Sequence, residues 1–145
     1  MPAFSLATLI RALLIWLLIM AAESVHGALR RALLTPEVDF AIRQISVAVA
    51  ALIIFALTWV FLDWIRVRSV RGALALGIVW AGLTLAFELA LGRLTGTPWD
   101  RIAADYDLAH GGLMPLGLLA MSLTPWAVQA LQARRKRRAL EPPTR

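Results

Sequence analysis

The amino-acid sequence predicts an all-α, polytopic membrane protein: four transmembrane helices with a short interfacial helix before the fourth. Three observations predict it. Hydrophobic residues make up 60% and charged residues 17% of the chain, against roughly 45–50% and 25% in soluble domains. The apolar residues fall into long runs with few or no charges, each near the ~20 residues that a helix needs to cross a hydrocarbon core. The basic residues gather between and after those runs. Cysteine is absent, which excludes thiol catalysis and Cys-ligated zinc or iron–sulfur clusters. The net charge of +6 sits in clusters that flank apolar runs, so it points to membrane sidedness and to no nucleic-acid partner.

The first apolar stretch, Ala12–Ala22, is uncharged but short. It becomes a span when the helix continues through Glu23 and His26 to Leu29, between Arg11 and Arg30. Arg11 interrupts the apolar stretch, and Met20-Ala21-Ala22 lacks the small residue that signal cleavage prefers at the −3 position, so the reading is an uncleaved span. Thr35-Pro36-Glu37 supplies an N-cap, a proline at the first helical position and an acid in the first turn. It opens the second helix, whose uncharged core is Ile45–Leu62. The third span, Gly72–Gly92, carries one charge, Glu88. Its Ala73, Gly77 and Ala81, at i, i+4 and i+8, allow close approach of another helix, and Glu88 falls on the same face. Thr97-Pro98-Trp99-Asp100 repeats the capping device and starts a short interfacial helix to about Leu108, with Trp99, Ile102 and Tyr106 on one face. Gly111-Gly112 ends it. The fourth span, Gly111–Ala133, is uncharged and contains Pro115 and Pro125, both read as kinks. The organisation is a single membrane domain over residues 1–138, with spans at about 11–30, 44–63, 71–93 and 111–133, and a frayed tail at 139–145.

Basic residues set the orientation. Ten of them (Arg11, Arg66, Arg68, Arg71, Arg134, Arg135, Lys136, Arg137, Arg138 and Arg145) fall on one side, and five (Arg30, Arg31, Arg43, Arg93 and Arg101) on the other. Both termini are therefore expected in the cytoplasm and the protein in a bacterial inner membrane. The run Arg134–Arg138 is expected to touch anionic lipid headgroups, at about 1 kcal/mol per charge.

Depth singles out one polar group. With a rise of about 1.5 Å per residue, Glu88 lies about 7 Å inward of Arg93, and Glu23 and His26 about 10 Å and 6 Å inward of Arg30. Glu23 and His26 are i, i+3 neighbours. Asp105, Asp107 and His110 lie just outside this layer, and Arg43 enters it from the second span. The candidate cluster is Glu23, His26, Glu88, Arg43, Asp107 and His110. Two carboxylate-x-x-His pairs and another glutamate resemble the inventory of di-iron bundles, and also suit zinc or manganese. Glu23, His26, Glu88, Asp107 and His110 are thus candidates for a divalent metal, although the pattern commits to no cofactor. The competing reading is structural: Glu88 pairs with Arg43, Arg30 or Arg93 across the bundle.

Phe87-Glu88-Leu89, Gly92-Arg93, Trp99-Asp100-Arg101, Asp105-Tyr106-Asp107 and Gly111-Gly112-Leu113-Met114 together resemble a group of small, uncharacterised bacterial four-helix integral membrane proteins, over roughly residues 22–123. The resemblance implies an inner-membrane helical bundle and no activity. The chain contains no Gly-rich phosphate loop, Ser–His–Asp set or nucleotide fingerprint. Small size and plain packing faces favour a non-catalytic accessory protein or complex subunit over an enzyme, in a homo-oligomer or a larger membrane complex. The alternatives are a small transporter or proton/ion pathway through the Glu/His layer, and a metal-dependent membrane enzyme.

Overall fold

Backbone N–H and C=O groups have no water to bond in a bilayer, so the apolar runs satisfy them internally as helices. The computed structural model describes residues 4–33 and 40–140, with backbone alone at 31, 33 and 40–44. Helices α1 (Leu6–Leu33), α2 (Phe40–Ile65), α3 (Val70–Leu94) and α5 (Met114–Leu140) are each long and apolar enough to cross a membrane. The short α4 (Trp99–Ala104) and one 3₁₀ turn (Leu108–His110) join α3 to α5. Large apolar side chains such as Leu17, Leu52, Val60, Ile78 and Leu119 cover the outside of the bundle. In water such a coat would be a liability. Around a lipid-embedded bundle it is the solvated surface, and the chain is a multi-pass membrane protein.

The helices form a ring in the order α1, α2, α5, α3. The tightest pair is α3 with α5, where the small residues of α3 lie: Ala73 and Gly77 are buried. A Cβ added at Gly77 would fall on the main-chain carbonyl of Ser122. The α1–α3 side differs, for its backbones approach sparsely and two indoles fill the gap. Trp80 donates to the Ala12 carbonyl and Trp16 to Thr84 Oγ1, both at 3.0 Å. Trp59, by contrast, stacks on Phe55 and Trp126 is exposed to lipid. Two glutamines lock the other seams: Gln132 donates to the Trp59 carbonyl at 2.8 Å and Gln129 to the Arg68 carbonyl at 3.2 Å. Such amide bonds between helices add specificity where lipid provides no hydrophobic drive.

Several boundaries differ from the expectation. Helix α1 begins at Leu6, five residues before Arg11. Ser5 Oγ accepts from the Thr8 N–H, and Arg11 is accommodated by reaching the Trp64 carbonyl at 3.3 Å and lying over the Trp64 ring. Helix α5 starts at Met114, so Pro115 stands in the first turn and makes no kink; only Pro125 is internal, and it is fully buried. The same helix runs on through the basic segment to Leu140, so the frayed tail is not at 139; residues 141–145 lie outside the described residues. Helix α4 stops at Ala104, short of Leu108. The chain folds back there: the Asp105 carbonyl accepts from the Met114 N–H, and that of Asp107 from Gly112. Gly112 is needed at this crossing, since a Cβ would sit 2.5 Å from the Ala104 carbonyl oxygen. Pro98, not Thr97, is the N-cap of α4 and offers no side-chain bond, while Thr97 hydroxyl pairs with that of Thr95 at 3.2 Å. The expected cap at Thr35-Pro36-Glu37 lies outside the described residues.

The helix ends sort as the charge count requires. Arg11, the Arg66–Arg71 link and the basic end of α5 gather at one end of the bundle, where Lys136 meets Asp63 at 3.2 Å. Both partners of that pair are mostly exposed, so it is worth little. Arg66 closes α2 there in a left-handed conformation, φ 68°, a position glycine usually takes.

Candidate functional site

The opposite end holds a cavity of about 460 Å³ between all four long helices and the α4–α5 loop. Met20, Ile54, Thr84 and Met121 form its apolar depth. Glu23 from α1, Glu88 from α3 and Asp105 after α4 bring carboxylates to it; Arg30 and Arg101 bring guanidiniums. A second recess of about 260 Å³ shares Glu88, Asp105 and Met114 with it and is also lined by Tyr106. Below lies the sealed core of Trp16, Ile19, Trp80 and Val128.

The structure brings some of the expected residues together and separates others. Glu23 and Glu88, from different spans, line the same cavity. His26 sits beside it as a bridge: its Nδ1 lies 3.3 Å from Glu23 Oε2, and its Nε2 lies 3.3 Å from Ser46 Oγ on α2. An ionised carboxylate only accepts, so Nδ1 is the donor to it; in the neutral ring Nε2 then accepts from the serine hydroxyl. The other oxygen, Glu23 Oε1, is buried and has no hydrogen-bond partner among the described residues. Asp107 and His110 line neither recess. They bond each other at 2.6 Å in a turn where His110 is 82% exposed, and Asp107 also accepts from the Ala109 N–H. This carboxylate caps a turn. Among the described residues no group of three or more His, Asp or Glu is placed to hold a metal ion. The side chain of Arg43 lies outside the described residues.

The expected partner Arg93 turns away from Glu88. Its guanidinium donates to the Thr97 carbonyl at 3.1 Å and lies 4.8 Å from the centre of the Trp99 ring. Arg101 takes the position facing the cavity instead. Arg101 and Asp105 are i, i+4, so one face of the α4 segment delivers both charges; that spacing is visible in the sequence, and the aromatic face of the same segment obscured it.

Tyr106 closes the second recess, and its hydroxyl is buried without a partner among the described residues. Burial first, then the carboxylates of Glu88 and Asp105, raise its pKa above the ordinary value of about 10. It is the only tyrosine in the chain, so tyrosinate absorbance reads it directly. The folded protein is expected to titrate above pH ~10, the denatured chain near it. The neutral phenol is the form the fold favours, so this contribution to stability is intact below pH ~10 and is lost as pH rises through the folded pKa. A folded-state midpoint at or below the denatured one would remove Tyr106 from the carboxylate recess.

Comparison with protein-family models, with curated proteins and with solved structures finds no match for the chain.

Proposed function

We propose that the chain is a non-catalytic accessory protein of a bacterial inner membrane, with both termini in the cytoplasm, whose outer half forms a closed-ended binding recess. The observation that carries this reading is the cavity's shape and lining. Of its lining, Arg30 and Arg101 are exposed, whereas Ile54, Thr84 and Met121 are buried and adjoin the packed core that holds Trp16 and Trp80. A blind recess in one copy supports holding a ligand rather than conducting one. The basic end of α5 supports the orientation: Arg134, Arg135, Lys136, Arg137 and Arg138 extend one helix past the span, all exposed and set to meet anionic headgroups.

The chain has no cysteine, so single cysteines report accessibility without background. Gly117→Cys places a thiol in the cavity, where a Cβ meets nothing within 4 Å. It is expected to react with a small membrane-impermeant maleimide added from the periplasmic side. Arg135→Cys is expected to react only once the inner membrane is opened, and Val128→Cys, in the sealed core, from neither side. Labelling of Val128→Cys in folded protein would reveal a continuous path and favour a transporter. Labelling of Arg135→Cys from outside would invert the orientation.

A further inference from the structure

Five charged side chains face the outer cavity: Glu23, Glu88, Asp105, Arg30 and Arg101. Opposite charges this close would ordinarily pair, yet none of these carboxylates lies within 4.0 Å of either guanidinium. The ion pairs among the described residues lie elsewhere, apart from the contact of Glu23 with His26. Both signs are therefore left facing the same space. The two carboxylates borne by spans, Glu23 and Glu88, also lie deeper than the guanidiniums, while Asp105 follows Arg101 on the α4 segment. Glu23 sits seven residues inward of Arg30 along α1, about 10 Å, and its Oε1 is one of the buried side-chain oxygens that lack a partner among the described residues. The guanidiniums stand nearer the opening, on the last turns of α1 and on α4.

The volume is maintained by what is missing from the wall. Gly117 lines the cavity, and a Cβ there would meet nothing within 4 Å. At Gly77 and Gly112 glycine permits a close main-chain contact. At Gly117 no contact requires it, and the absent side chain leaves open space.

We infer that this recess binds a small zwitterion, with an ammonium group seated inward between Glu23 and Glu88 and an anionic group held at the mouth by Arg30 and Arg101. The inference rests on the closed-ended recess proposed above. An ammonium supplies three donors to carboxylates that can only accept. A guanidinium suits a carboxylate or a phosphate equally, so the same chemistry fits a soluble amino acid and an ethanolamine-phosphate headgroup.

The test uses purified full-length protein in detergent, titrated by calorimetry with 6-aminohexanoate, hexylamine and hexanoate. The zwitterion is expected to bind with one-to-one stoichiometry, the amine about tenfold more weakly for want of the guanidinium contact, and the acid not detectably. Glu88→Gln should abolish binding of zwitterion and amine alike. Arg101→Gln should reduce the zwitterion to the affinity of the amine. Gly117→Leu should fill the recess and abolish binding, while Gly82→Leu, equally unobstructed but outside the cavity, should bind as the native chain does. Circular dichroism melting curves confirm that each variant is folded. Competition by short-chain phosphatidylethanolamine would identify a lipid headgroup as the source, and its failure to compete a soluble one. Absence of heat with all three probes on folded native protein, or equal binding of hexanoate, would overturn the zwitterion site and leave a hydrated vestibule. Labelling of Gly117→Cys from outside is independent of these titrations, so a lost ligand and a lost recess are told apart.

Discussion

Replacing Gly77 by leucine is expected to force α3 away from α5 and to lower the thermal midpoint in detergent by roughly 10 °C. The obstacle is main chain, since the first added carbon already meets the Ser122 carbonyl. Overpacking a core costs about 1–3 kcal/mol when side chains can shift aside. Here whole helices must move, so the upper end applies, and for a domain of this size each kcal/mol shifts the midpoint by about 3 °C. Gly82→Leu is the matched control on the same helix, because its added side chain meets nothing within 4 Å. Equal melting of the two variants would show that Gly77 is not at the α3–α5 crossing.

The second large effect is expected at Trp80, which is 0% exposed. Trp80→Ala should cost about 3–5 kcal/mol, in the range of large aromatic truncations. The loss comes from dispersion contacts and an unfilled gap, since an indole moved to lipid forfeits little hydrophobic free energy. Trp80→Phe keeps most of the ring and loses the bond to the Ala12 carbonyl, so about 1 kcal/mol is expected. Trp126→Ala, at a lipid-exposed position, should stay within about 0.5 kcal/mol. Indistinguishable losses at Trp80 and Trp126 would mean that the indoles do not hold the α1–α3 seam.

These two residues also mark what the sequence could and could not convey. The spans were legible because bilayer thickness imposes a length, and Gly77 was legible because small residues at i, i+4, i+8 have few other uses in a membrane helix. Trp80 was not. Trp16, Trp59, Trp80 and Trp126 look alike in a chain where every face is apolar, and only the ring order of helices decides which indoles turn inward. The common depth of Glu23 and Glu88 followed from counting residues, for helical rise is fixed. Which cations face them did not follow. Arg93 is nearer to Glu88 in sequence but is held by the Thr97 carbonyl and the Trp99 ring, whereas Arg101 arrives through a fold-back of the chain. Asp107 and His110 had the same spacing as Glu23 and His26, yet a spacing says nothing about orientation in a loop, and there the pair caps a turn.

The order of helices around the ring has a consequence for how the protein is made. Helices α2 and α3 are successive in the chain but sit on opposite corners, and the helix that touches both α2 and α3 extensively is α5, which leaves the ribosome after both. A nascent chain that has delivered α1–α3 to the bilayer therefore holds Gly77 and its small-residue face against lipid, with one corner of the ring vacant. Closure waits on delivery of α5, whose Gln129 and Gln132 then clasp carbonyls of the link to α3 and of α2. Membrane quality control would meet an open three-helix intermediate during every round of synthesis, and a stop codon before residue 114 would make that intermediate permanent.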